Sequence, residues 1–139
     1  MKKNIRFLMF VLIFTAVIVT ACGGGASEQK SEVPAEYAGK TNPVAGDANA
    51  LAAGKVIYDV TCSSCHGVSG KGDGPAGQAL TPPASDLTKV VASTGEDYLY
   101  YRVAEGGSMD PYNSSMPAHK SSLSEDEIWQ VVTYITSLK

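Results

Sequence analysis

The sequence is poor in residues that bind metals, with three cysteines and two histidines in 139 residues. Cys62, Cys65 and His66 share one short run, which leaves only Cys22 and His119 elsewhere. The second pair of ligands that a tetrahedral zinc site requires is therefore missing. No apolar run reaches bilayer length: residues 7–19 make 13, where a spanning helix needs about 20. No basic cluster lies beyond the first six positions, and 11 Lys and Arg face 14 Asp and Glu for a formal net charge of −3. Nucleic acid is thus excluded as a partner. The chain also lacks alternating apolar and polar stretches and any internal repeat, which argues against sheet folds and solenoids.

What is present begins with a cationic start (Lys2, Lys3, Arg6), the apolar run and the small residues Thr20 and Ala21. That order predicts a secretory signal over residues 1–21. Val19-Thr20-Ala21-Cys22 resembles the lipobox of bacterial lipoproteins, which implies that Cys22 carries a lipid and becomes the mature N-terminus. The domain is then expected outside the cytoplasm and held to the cell membrane. Without its signal the chain keeps 8 basic against 14 acidic residues, a net charge near −6 that suits a basic protein partner.

Residues 22–46 are rich in Gly, Ser, Glu, Lys, Pro and Ala, with Val33, Tyr37 and Val44 as the only large apolar side chains. The composition predicts a flexible tether with an end-to-end distance of about 27 Å, or roughly 80 Å when stretched. Residues 47–139 form the expected domain. Asp47 suits the N-cap of a first helix whose Leu51, Gly54 and Tyr58 share a face and which leads into Cys62. Glycines and prolines predict an irregular loop over residues 67–88. Ser93 or Thr94 is placed to cap a second helix that stops at Gly106-Gly107, and Ser124 with Glu127 forms a capping box for a last helix. Ile128, Val131, Val132, Ile135 and Leu138 recur there at helical spacing. The fold class is all-α, with three to four helices and long loops. Such loops in a domain of roughly 90 residues require a large ligand to organise them.

Cys62-Ser63-Ser64-Cys65-His66 is a C-x-x-C-H run, the signature of covalent haem c attachment. Two thiols three residues apart reach the two vinyl groups on one porphyrin edge, and the adjacent imidazole turns onto the iron. A redox dithiol would need a βαβ context that the chain does not show. The sixth ligand is sought among Met116, Met109 and His119, and Met116, before Pro117 and a short loop ahead of the last helix, is favoured. His119 reads as a surface residue.

Residues 47–139 resemble a class I monohaem c-type cytochrome of the bacterial type. The likeness rests on Gly54, Tyr58 and Cys62 at four-residue intervals, the C-x-x-C-H run, and Gly70-x-Gly72-Asp73-Gly74-Pro75. It continues through Met116-Pro117 and Leu123-Ser124-x-x-Glu127-Ile128-Trp129 to Tyr134-Ile135. It implies one covalent haem held by Cys62 and Cys65, with His66 and Met116 as axial ligands to iron. It further implies that the first and last helices cross beside Tyr58, and that the carbonyl of Pro75 accepts a hydrogen bond from His66. Tyr37-Ala38-Gly39 and residues 72–77 also resemble the monohaem subunit of alternative complex III. The function implied is single-electron transfer in a respiratory or photosynthetic chain, as a carrier or a complex subunit and not as an enzyme. A peroxidase, a small-gas reductase or a haem sensor would need an open sixth site.

Overall fold

The computed structural model describes residues 33–139. The expected signal segment, Cys22 and the first part of the expected tether lie outside the described residues. Among the described residues all regular structure is helical: α1 Ala48–Thr61, α2 Ser63–His66, a 3-10 turn Gly77–Ala79, α3 Leu87–Ser93, α4 Glu96–Glu105 and α5 Glu125–Ser137. No helix among them is long and apolar enough to cross a membrane.

The frame is the crossing of α1 and α5. Asp47 caps α1 by accepting from the backbone N–H groups of Asn49 and Ala50, each at 2.8 Å. The inward face of α1 carries Ala50, Gly54 and Tyr58 at four-residue spacing, while Leu51 stays exposed at its edge. Gly54 is the closest approach, because a Cβ there would collide with the backbone carbonyl of Gln130 on α5. Helix α5 opens with the full capping box of Ser124 and Glu127 and buries Ile128, Trp129, Val131, Val132 and Ile135. Burial of each such aliphatic side chain contributes about 1.5–3 kcal/mol before the cost of ordering the chain. Trp129 stacks on Tyr100 of α4 with ring centroids 4.3 Å apart, which joins the third long helix to the pair.

Three expectations require correction. The stretch over residues 67–88 ends in a helix, α3, which Asp86 caps through the N–H of Thr88. Ser93 and Thr94 do not cap α4; their hydroxyls donate back to the carbonyls of Lys89 and Val90 and close α3, and the N-cap of α4 is Gly95. Residues 33–46, expected as part of a flexible tether, form a strap packed on the domain. Tyr37 stacks against Tyr100 and Tyr101 at 6.1 and 5.2 Å, and its hydroxyl donates to Glu105. Asn42 donates to Thr133 at 2.9 Å, and the N–H of Gly39 donates to Asp97 at 3.0 Å. With Tyr37 and Val44 on the core cluster, two large side chains and a few hydrogen bonds are enough to order a polar segment.

Candidate functional site

α1 delivers the C-x-x-C-H run directly into α2, where Cys62 is the last residue's cap and Gly67 ends the turn at φ 78°. Only a residue without a Cβ holds that conformation at low cost. Tyr58, buried beneath, donates its hydroxyl to the carbonyl of Gly67 at 2.7 Å and packs on Tyr134 with centroids 5.0 Å apart. Tyr58 lines no part of the cleft described below, so its role is to brace the motif from behind. Residues 74–77 lie against the backbone of α2, where Gly74 and Gly77 leave no room for a Cβ beside Ser64 and Cys65. The N–H of Ala76 donates to the carbonyl of Ser64 at 3.1 Å.

In front of α2 lies a cleft of about 870 Å³, its open mouth included, lined by Cys62, Cys65, His66, Arg102, Met116 and His119 among others. An inner lobe shares Cys62, His66, Met116 and His119 and reaches the apolar wall of Leu87, Leu99, Val103 and Ile135. Segments from all five helices and the loop after α4 thus converge on one space. Met109 lines neither lobe, whereas Met116 lines both. The backbone explains this placement: the N–H of Gly107 donates to the carbonyl of Met116 at 2.9 Å, and that of Ser114 to Gly107 at 2.7 Å, so the loop doubles back and returns Met116 to the cleft.

His66 is held by its Nδ1, 3.0 Å from the carbonyl oxygen of Ser85. A carbonyl only accepts, so Nδ1 carries the proton and Nε2 is left with its lone pair for a metal. The acceptor is therefore Ser85 and not Pro75, which lines no part of the cleft; Pro75 lies in the segment packed on α2, and the chain must run ten residues further before a carbonyl faces the imidazole. Burial lowers the basicity of His66, against a smaller opposing effect of the Ser85 bond, which favours the neutral ligand form. Both thiols are free, and burial, followed by the neighbouring Cys65, pushes Cys62 up to about 11. A protonated thiol at neutral pH is a poor redox dithiol.

Two further residues line the cleft: His119, weighed as a ligand but read as a surface residue, and Arg102, which the sequence did not single out. His119 is buried at 9% exposure rather than on the surface, because its backbone N–H donates to the carbonyls of Val103 and Ala104, both at 3.1 Å, and pulls it against α4. Arg102 enters the cleft with Nη1 buried and without a partner. The amphipathic pattern of α4 places Arg102 one residue from buried Val103, which is the only sequence signal for it. The donor set fits haem c: two free thiols on one wall, an imidazole with its Nε2 unclaimed, a thioether, an apolar interior and an unpaired cation.

Comparisons with known proteins agree. The family model described as "Cytochrome c" matches residues 51–139. Cytochrome c-554(547) of Halothiobacillus neapolitanus is 35% identical over 97 residues, covering 68% of this chain and 100% of its own. Among solved structures, a chain of the Kuenenia stuttgartiensis reducing HAO-like protein complex is similar, with a TM-score of 0.54 and 28% identity over 66% of this chain; the match spans 44% of that chain. Cytochrome cL of Methylophaga aminisulfidivorans shares the fold, with a TM-score of 0.51 and 20% identity over 86% of this chain and 73% of that one. The protein belongs to the cytochrome c family, whose members carry electrons on covalently attached haem c, one group in a small domain of this kind.

Proposed function

We propose that this is a membrane-tethered monohaem cytochrome c that passes single electrons outside the cytoplasm, in a respiratory or photosynthetic chain. The observation that carries the reading is the convergence of Cys62, Cys65, His66 and Met116 on one cleft. Cys62 and Cys65 would hold the haem as thioethers, and His66 Nε2 and Met116 Sδ would bind its iron. The haem would supply reversible one-electron chemistry. The chain's own residues do the rest. Ser85 orients the imidazole and keeps it basic toward iron, the wall of Leu87, Leu99, Val103 and Ile135 excludes water, and a neutral thioether favours the ferrous state.

Val19-Thr20-Ala21-Cys22 supports lipidation at Cys22 and a membrane-bound domain on the extracytoplasmic side. The acidic balance supports a basic redox partner, reached faster at low salt than at high. Membership of a quinol-oxidising assembly such as alternative complex III is supported by the wording of Tyr37-Ala38-Gly39 and residues 72–77, and copurification after gentle detergent extraction tests it. The ligand reading is tested by the absorption spectrum of oxidised protein produced with haem maturation. A sulfur-to-ferric-iron charge-transfer band is expected and is abolished in Met116→Ala; high-spin oxidised wild type would replace the carrier with a ligand-binding or enzymatic role.

A further inference from the structure

His119 is buried on the wall of the cleft, and the reading above gives its imidazole no task. Its main chain is fully committed: the N–H donates to Val103 and Ala104, and the carbonyl accepts from the N–H groups of Ser122 and Leu123 at 2.9 and 2.8 Å. Its ring is not, since neither ring nitrogen has a hydrogen-bond partner among the described residues. A side chain that merely filled this place could be apolar and would leave no polar atom unpaired. Burial also pushes the imidazole below the ordinary histidine range, which keeps a lone pair on the ring. Met116 and His119 are presented together, with only Pro117 and Ala118 between them, and both line both lobes of the cleft. Met116 hangs by its carbonyl from Gly107, and His119 hangs from the end of α4. The segment between them lies on Gly106, where a Cβ would meet the carbonyl oxygen of Met116 and the carbonyl carbon of Pro117, both at 2.6 Å. The two side chains differ in exposure and in chemistry. Met116 is half-buried between exposed Ser115 and Pro117, whereas His119 is buried. A thioether is readily oxidised to the sulfoxide, and an imidazole resists the same oxidants.

We propose that His119 is a reserve iron ligand, whose imidazole takes the place of the Met116 thioether once Met116 is oxidised. The proposal rests on the haem reading above. The triggering step needs a peroxide. An S–O bond forms at Sδ, the O–O bond breaks, two electrons pass from sulfur to peroxide, and water leaves when the oxidant is hydrogen peroxide. The product is a polar sulfoxide, which no longer suits the apolar inner lobe. An imidazole held three residues away on the same wall acts at a high local concentration and needs only the short Met116 loop to give way. The exchange keeps a ligand from the protein on the iron after oxidative damage. It also lowers the reduction potential, because a thioether raises that potential relative to a second imidazole.

The test uses the haem-loaded full chain and two routes to the loss of Met116. In Met116→Ala the ferric iron should be low-spin without the sulfur charge-transfer band, and its equilibrium constant for reduction should fall about a thousandfold, or about 180 mV. The double variant Met116→Ala, His119→Leu should be high-spin. Cyanide, which competes with any ligand from the protein, should bind the double variant at a concentration about a hundredfold lower than Met116→Ala requires. The second route needs no Met116 variant. In a Met109→Leu background, hydrogen peroxide is added until mass spectrometry shows complete conversion of Met116 to the sulfoxide. The iron should stay low-spin without the sulfur band, and the same treatment of His119→Leu in that background should make it high-spin. High-spin iron in Met116→Ala or in the peroxide-treated chain overturns the proposal, and so does low-spin iron that persists when His119 is also replaced. An untreated wild type that is low-spin without the sulfur band overturns it together with the assignment of Met116. Failure of matured wild type to carry covalent haem sinks the underlying reading and this one together, whereas normal haem attachment and a normal sulfur band beside any of the adverse outcomes sinks this one alone.

Discussion

The two sides of this domain are finished to different degrees. Behind the C-x-x-C-H turn, α1, α4 and α5 close on one another without help: Tyr58, Val131 and Val132 are fully buried, Gly54 seats α1 on the backbone of α5, and Tyr58 finds its acceptor in Gly67. In front of the turn, two thiols, an imidazole and a thioether face a cleft, the imidazole borrows a backbone carbonyl, and a guanidinium nitrogen has no partner among the described residues. The contrast shows that stability and function are divided between opposite faces of one short motif. The rear supplies a rigid mount, and the front keeps its bonding capacity for a cofactor.

The largest test removes what completes the front. The double variant Cys62→Ala, Cys65→Ala should carry no covalent haem, and hydrogen exchange should show the loop over residues 107–119 losing protection while the α1–α5 crossing keeps most of its own. Equal loss on both faces would mean that the rear also depends on haem. Next in size, Gly54→Ala inserts a methyl group where the Gln130 carbonyl stands and should destabilise the domain by about 3 kcal/mol, read by denaturant unfolding of the haem-loaded protein. Its reduction potential should stay close to wild type, since the rear acts as mount only.

The smallest effect concerns the strap. The Lys120 ammonium, and secondarily the Tyr37 hydroxyl, hold the Glu105 carboxyl below its usual range. A carboxylate depressed on folding stabilises the native state above its unfolded value and loses that contribution as pH falls through its folded value. Limited proteolysis at residues 33–46 should therefore accelerate on acidification before global unfolding, and Tyr37→Phe, which has no hydroxyl to donate to Glu105, should be cleaved faster at neutral pH and lose most of that acid acceleration. Cleavage that tracks global unfolding at every pH would refute a separately released strap.

The rear was the legible half. Asp47, the Ser124 and Glu127 box, and the helical spacing of Ile128, Val131, Val132 and Ile135 are local signals that packing confirms. At the front, the motif announced the cofactor, and Met116 was set apart from Met109 by Pro117 and by its distance from the last helix. What escaped depends on tertiary placement. The carbonyl that holds His66 belongs to Ser85, and a backbone carbonyl leaves no mark in a sequence. α3 is seven residues long and follows Pro82-Pro83, so loop signals masked the cap at Asp86. The strap has too few apolar residues to look ordered until Tyr37 is seen against Tyr100 and Tyr101.

With Cys22 anchored as proposed, that strap would limit how far the domain can travel. For a chain anchored at Cys22, a tether running to residue 46 would stretch to roughly 80 Å, but with packing from residue 33 onward only eleven residues remain, and no conformation of them exceeds roughly 40 Å. Halving the radius cuts the volume searched about eightfold and raises the local concentration of the domain at a co-anchored partner by a similar factor. Release of residues 33–46 would lengthen the leash again, trading encounter frequency with near neighbours for access to distant ones.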